Sequence, residues 1–112
     1  MNKLIEIQTA YQLIGGINQL GVEAGTNAPK GGDSGAGGRT YLRISEQGGT
    51  VWSVTVVDED GESHLFDSPT EIAITLGGDS ERSTLIRALE FALAALKGTA
   101  EGAETRLRET SL

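Results

Sequence analysis

The residue types best suited to chemistry lie in one short stretch, the acidic segment 58–62 and the single histidine, His64. If Gly61 took the invariant glycine position of a calcium loop, Val56 would stand at the first ligand position, so the full ligand set fails. An imidazole that acts as an acid or base normally needs a second group to orient it, and the spacing assigns none to His64. We therefore interpret the segment as an acidic hairpin turn that holds at most a weak surface cation, with no catalytic residue and no dedicated metal site.

Residues 33–40 come nearest to a phosphate-binding loop. Asp33 stands where such a loop has its first glycine, and Arg39 stands where it has lysine. A strand pattern follows, so no helix N-terminus is available to hold a phosphate. The chain also lacks cysteine, which excludes disulfides, thiolate nucleophiles and cysteine metal sites. We expect no cofactor and no enzymatic activity.

The charge balance favours protein partners over nucleic acids and membranes. Nine Lys and Arg stand against sixteen Asp and Glu, a net charge of -7. This charge repels phosphate backbones and anionic lipids and attracts basic proteins. Glu6 and Gln8 interrupt the apolar N-terminal residues, and no run approaches the ~20 apolar residues of a membrane span. These features predict a cytoplasmic protein.

Four regions divide the chain: residues 1–20, 21–38, 39–98 and 99–112. The first carries apolar residues at spacings of three and four and is predicted as an N-terminal helix. Because Gly15 and Gly16 weaken that helix, an edge strand over 4–9 before a shorter helix capped at Thr9 is the alternative. Seven glycines predict a mobile linker over 21–38, and the last region is a polar tail.

The region 39–98 carries a sheet pattern followed by a helix pattern. Alternating residues predict strands over 40–45, 50–58 and 63–67, joined by hairpins at Gly48-Gly49 and Asp60-Gly61. Residues 70–76 fit either a short helix begun at Pro69 or a strand, and the β-branched alternation favours the strand. Asp79 or Ser80 can cap the final helix, 80–97, which stops at Gly98.

The predicted fold is α+β, a two-layer arrangement of a four-stranded antiparallel sheet packed on the C-terminal helix and the N-terminal helix. The apolar surface of the C-terminal helix is wide enough to cover the sheet and also meet a second subunit. This surface predicts a homodimer, with Leu85, Leu89 and Phe91 as candidate dimer residues.

Residues 41–96 resemble the module of the positive-cofactor-four family of transcriptional coactivators. The resemblance rests on the pattern of four strands, a Gly-Gly and an Asp-Gly turn, and a helix, with Tyr41-Leu-Arg-Ile-Ser as the first strand and Ile72-Ala-Ile-Thr-Leu before the helix. It implies a homodimer formed through the helix and a sheet that binds single-stranded DNA.

The local charge favours a different partner. Between Arg39 and Leu76 there are two basic residues against seven acidic ones, whereas a groove that follows phosphates needs the opposite balance. We therefore expect a small acidic binding or assembly module of the accessory or inhibitor type that engages a protein partner. A single-stranded nucleic-acid-binding coactivator is the alternative. The candidate interaction residues are Tyr41, Arg43, Asp58, Glu59, Asp60 and Glu62.

Overall fold

The computed structural model describes residues 7–27, 38–99 and 112. Within these residues, six strands and one helix follow one another. They are β1 (Thr9–Ile14), β2 (Leu20–Thr26), β3 (Arg39–Glu46), β4 (Ser53–Val57), β5 (Ser63–Asp67), β6 (Glu71–Gly77) and α1 (Asp79–Leu96). The predicted polar tail lies outside the described residues, apart from Leu112.

The strands form two antiparallel sheets. A four-stranded sheet has the order β1-β2-β3-β6, and β4 and β5 form a separate two-stranded hairpin. The α+β class with a four-stranded antiparallel sheet and a C-terminal helix is thus confirmed. The strands over 50–58 and 63–67 were predicted as members of that sheet, but they form the separate hairpin, and β1 and β2 take their places beside β3 and β6.

The prediction of an N-terminal helix is wrong, and so is its alternative, a shorter helix that begins at Thr9. Residues from Thr9 onward form β1, which pairs with β2 from Thr9↔Gly25 to Ile14↔Leu20. Gly15 adopts a φ of 97° and leads into the connection between the two strands. A helix of this sequence would contain two adjacent glycines, which would destabilise it. Pairing with β2 therefore outweighs the 3.6-residue spacing of the apolar residues, and the segment forms a strand. Residues 1–6 lie outside the described part of the chain.

The glycine-rich region 21–38, predicted as a linker, contains most of β2. This strand is an inner strand of the sheet, hydrogen-bonded to β1 and to β3. A Cβ atom on Gly21 would lie 2.5 Å from the hydroxyl of Tyr11, and one on Gly25 would lie 2.8 Å from the Cα of Thr9. At these two positions glycine permits close approach within the sheet rather than flexibility. Residues 28–37 lie outside the described ranges.

The predicted hairpin at Gly48-Gly49 is also wrong. β3 pairs with β2 and β6, and the segment 47–52 connects the large sheet to the small one. The carboxylate of Glu46 organises this connection by accepting hydrogen bonds from the backbone N–H groups of Thr50 (3.0 Å) and Gly48. These bonds, that of Thr50 first, hold the pKa of Glu46 below its ordinary value.

Two predictions near the C-terminus are confirmed. Residues 71–77 are a strand, β6, and the helix α1 covers nearly the predicted span. Neither Asp79 nor Ser80 caps α1, because Gly78 occupies the N-cap position and no side chain bonds there. Gly98 ends the helix with a φ of 77°.

Antiparallel register gives the four-stranded sheet an apolar face and a polar face. Leu42 pairs with Ile74 and Ile44 pairs with Ile72, so these side chains share one face. The apolar face comprises Ala10, Gln12, Ile14, Leu20, Val22, Ala24, Thr26, Thr40, Leu42, Ile44, Glu46, Ile72, Ile74 and Leu76. The polar face carries the alternate residues, among them Tyr41 and Arg43.

The apolar face is only partly covered. α1 packs over β3 and β6, yet no residue of α1 is buried, and no large side chain among the described residues is fully buried. Ile14 and Ile74 on the apolar face are each 45% exposed. Among the described residues, no helix is both long enough and apolar enough to cross a bilayer.

Candidate interaction surfaces

Arg43 lies at the centre of an ionic network on the polar face. Its Nε donates to Glu23 Oε1 at 3.0 Å, and its Nη1 donates to Glu71 Oε1 at 3.0 Å. Thr9 donates its hydroxyl to the other oxygen of Glu23 at 2.5 Å. The network therefore spans all four strands, from β1 through β2 and β3 to β6.

The hydrogen bonds of this network shift the pKa values of its members. The hydroxyl of Thr9 and the guanidinium of Arg43 hold the pKa of Glu23 below its ordinary value. Hydrogen bonding to Glu23 raises the pKa of Arg43, with a further contribution from Glu71. The positive charge of Arg43 thus faces two carboxylates, which leaves little of it to attract a phosphate.

The acidic segment 58–62 forms the turn of the β4–β5 hairpin, as the Asp-Gly signal predicted. Asp58 Oδ1 accepts hydrogen bonds from the backbone N–H groups of Asp60 and Glu62, both at 3.0 Å. The backbone N–H of Gly61 donates to the carbonyl of Asp58, and Gly61 has a φ of 83°. The candidate interaction residues are therefore divided between two sheets: Tyr41 and Arg43 lie on the polar face, and the four carboxylates lie on the hairpin.

His64 joins this turn, which the spacing in sequence did not reveal. Its Nε2 lies 2.9 Å from Asp58 Oδ2, and this contact is the first cause of the lowered pKa of Asp58. The pairing Val56↔His64 places the imidazole diagonally opposite Asp58 on one face of the hairpin. The only usable signal in the sequence was the Asp60-Gly61 turn, which sets this register.

Asp58, Glu62 and His64 are the group in the described part of the chain with a metal-binding arrangement. One ligand atom of each lies within 4.8 Å of the others. Two carboxylates and an imidazole suit a divalent transition metal better than calcium, which prefers six to eight oxygens. All three residues are exposed, so water would complete the coordination of any ion held there.

Two of the predicted dimer residues, Leu85 and Leu89, lie on an apolar stripe of α1 that becomes more exposed toward its C-terminal end. Leu85 is half-buried over the sheet, whereas Leu89 is 46% and Leu96 is 87% exposed. The N-terminal half of the helix and strands β2 and β3 border an open cavity of about 250 Å³. Phe91, on another side of the helix, is 59% exposed.

A second apolar surface lies between the hairpin and β6. It is a groove of about 430 Å³, which we call the hairpin groove, and nearly all of its lining residues are apolar. They are Val54, Val56, Phe66, Pro69, Glu71, Ile72, Ala73 and Ile74. The indole Nε1 of Trp52 donates to the carbonyl of Pro69 at 2.8 Å and ties together the two chain segments at the base of the hairpin.

No known protein family, curated protein or solved structure matches this chain. The resemblance to the positive-cofactor-four family therefore stays a prediction. The candidate functional surfaces of the described residues are the polar face with its ionic network, the acidic hairpin turn, and the apolar surfaces of α1 and the hairpin groove.

Proposed function

We propose that this protein is a homodimeric, non-enzymatic binding module whose acidic hairpin turns engage a basic protein partner. The observation that carries the proposal is the exposure of large apolar side chains on α1 and in the hairpin groove. Soluble monomers rarely expose contiguous apolar patches larger than about 300–600 Å². Burial of such a patch against another polypeptide contributes about 25 cal/mol for each Å² removed from water.

A second copy of the chain is the simplest cover for these surfaces. In a two-fold dimer the same patch meets itself, so one apolar helix and one apolar groove on each chain suffice for both subunits. Such a dimer places two acidic turns on one particle. Two turns bound to one partner strengthen attachment through effective concentration, without new contacts.

The charge of the hairpin turn supports the proposal of a basic partner. Four carboxylates, those of Asp58, Glu59, Asp60 and Glu62, lie within five residues of an exposed turn. No lysine or arginine stands between Arg43 and Arg82, so the turn has no basic residue nearby in the sequence. Attraction between opposite charges raises the rate of association and favours partners with a positively charged surface.

The proposal is tested first by mass. Light scattering on a size-exclusion peak at micromolar concentration should give twice the 11.7 kDa of one chain. A monomer at that concentration would refute the dimer.

The acidic turn is tested with decalysine as a defined basic probe. The Glu59→Lys/Asp60→Lys variant should weaken decalysine binding by at least roughly tenfold in titration calorimetry, since the turn loses its charge complementarity. The matched control, Glu81→Lys/Glu90→Lys on α1, makes the same change in net charge. Equal losses in both variants would show that only overall charge matters and would overturn the assignment of the turn.

A single-stranded DNA partner is less favoured because of the polar face. The basic residue at its centre, Arg43, already binds Glu23 and Glu71. A surface that binds single-stranded nucleic acid combines stacking aromatic residues with Lys and Arg side chains whose charge no carboxylate neutralises.

A further inference from the structure

We infer that the hairpin groove of one subunit receives the C-terminal half of α1 from a second copy of this chain. The inference rests on the proposed dimer and specifies which surfaces meet in it. It gives the hairpin, which the large sheet does not pair with, a structural role in assembly.

The groove lies where the two sheets share no ladder. β4 and β5 bond only to each other among the strands, so the hairpin stands beside the large sheet without a shared ladder. Val54 and Phe66 form a direct cross-strand pair on the hairpin side of the groove, and Ile72 and Ile74 lie on the β6 side. The groove of about 430 Å³ is open to solvent, so covering its apolar walls with another polypeptide removes apolar surface from water.

The apolar stripe on α1 is the surface that fits this groove. Leu85, Leu89, Leu93 and Leu96 recur at spacings of three and four, so they lie along one side of the helix. The exposed fraction rises from 46% at Leu89 to 54% at Leu93 and 87% at Leu96. The apolar side of α1 that packs on its own sheet thus extends beyond the area that the sheet covers. A second apolar surface is needed to cover its C-terminal part.

The size of the two surfaces fits a stable dimer. The exposed large side chains of the apolar stripe of α1 and of the groove are Leu89, Leu93, Leu96, Val56, Phe66 and Ile74. At about 60 Å² of apolar area each, they provide roughly 360 Å² for each copy. A standard interface buries about 800 Å² for each partner, somewhat more than half of it apolar.

The electrostatics of the groove do not oppose an apolar helix. Glu71 is the one charged residue in its lining, and its carboxylate already accepts a hydrogen bond from Arg43. The apolar helix therefore meets no unpaired charge in the groove. The acidic turn itself does not line the groove, so it stays available to a partner.

Cross-linking between two different single-cysteine variants tests the geometry, since the chain contains no native cysteine. Val56→Cys in the groove and Leu93→Cys on α1 are co-refolded as separate chains, one carrying a mass tag, and treated with a short bis-maleimide. We expect a covalent heterodimer, which can arise only between chains. The control replaces Val56→Cys by Val57→Cys, because Val57 points to the other face of the hairpin and is also exposed.

The outcomes separate this inference from the proposed function. At least roughly fivefold more heterodimer from the Val56→Cys mixture than from the Val57→Cys mixture supports the groove. Equal yields, or no heterodimer, in variants that remain dimeric by light scattering overturn the groove and leave the dimer standing. Val56→Cys and Leu93→Cys chains that retain the wild-type circular dichroism but become monomeric, while Val57→Cys stays dimeric, also support the groove, because only interface residues would then have been changed. A monomeric wild-type protein refutes the dimer and the groove together.

Discussion

Glu23 and Arg43 face each other across β2 and β3, with Arg43 Nε 3.0 Å from Glu23 Oε1. The pair stands at the middle of the polar face, where a nucleic-acid-binding sheet would present a free cation. Because Glu71 engages the same guanidinium from β6, the arginine is held between two carboxylates. This relationship decides the first prediction.

The protein should not bind single-stranded DNA appreciably, even at low salt. Phosphate binding requires cations that release counterions, and Arg43 is already neutralised by its neighbours. Fluorescence anisotropy of a labelled oligonucleotide should stay constant across micromolar protein. If submicromolar binding appears, weakens steeply with salt and is lost in Arg43→Ala, the coactivator hypothesis replaces the acidic-module proposal.

Gly25→Ala should destabilise the protein by about 1–3 kcal/mol, the cost typical of an overpacked site. The added Cβ would lie 2.8 Å from Thr9 Cα and close to backbone atoms of Gln8, just before β1, which move only if the strand pairing is disturbed. Urea unfolding measures the change. Gly16→Ala is the matched control, since a Cβ there meets nothing within 4 Å, and it should be nearly neutral. Equal stabilities for the two variants would contradict the close approach of β1 and β2.

Leu93→Lys should weaken the proposed dimer by at least roughly tenfold, because an unpaired ammonium would have to be buried in the interface. Sedimentation at several concentrations measures the dissociation constant. Thr84→Lys adds the same charge to α1 at an exposed position outside the leucine stripe and should leave the constant unchanged. Retention of the wild-type constant in Leu93→Lys would place the interface elsewhere.

The hairpin turn should lose stability in acid. Asp58 has an ordinary pKa of 3.8, and its folded-state pKa is lowered, first by the hydrogen bond with His64 and then by the N–H of Glu62. A lowered folded-state pKa means that the stabilisation is fully present above 3.8 and is lost as the pH falls through the folded value. Carboxyl NMR titration should show Asp58 titrating below 3.8, and His64→Gln should move it upward. An unchanged titration in that variant would show that His64 does not affect the carboxylate.

Local patterns in the sequence predicted β6, α1 and the β4–β5 turn, although residues 70–76 also fitted a short helix. Each depends on residues near one another along the chain: alternation over 71–77, the apolar stripe that ends at Gly98, and the Asp60-Gly61 turn. The four carboxylates of the candidate interaction surface were accessible to the same reasoning because they lie within that turn. His64 was not, since its contact with Asp58 arises from the hairpin register.

The sequence by itself determined the acidic charge, the absence of thiol chemistry and the elements whose signals are local. Tertiary structure decided which strands pair: Leu42 meets Ala24 and Ile74, partners eighteen and thirty-two residues away, and not a neighbour across a tight turn. The tertiary structure also decided the role of Gly21 and Gly25. The composition around them predicted a flexible linker, but in the structure they allow β1 to pack closely beside them. The physical reason is that strand pairing and close approach depend on atoms distant in the chain, and no local propensity encodes them.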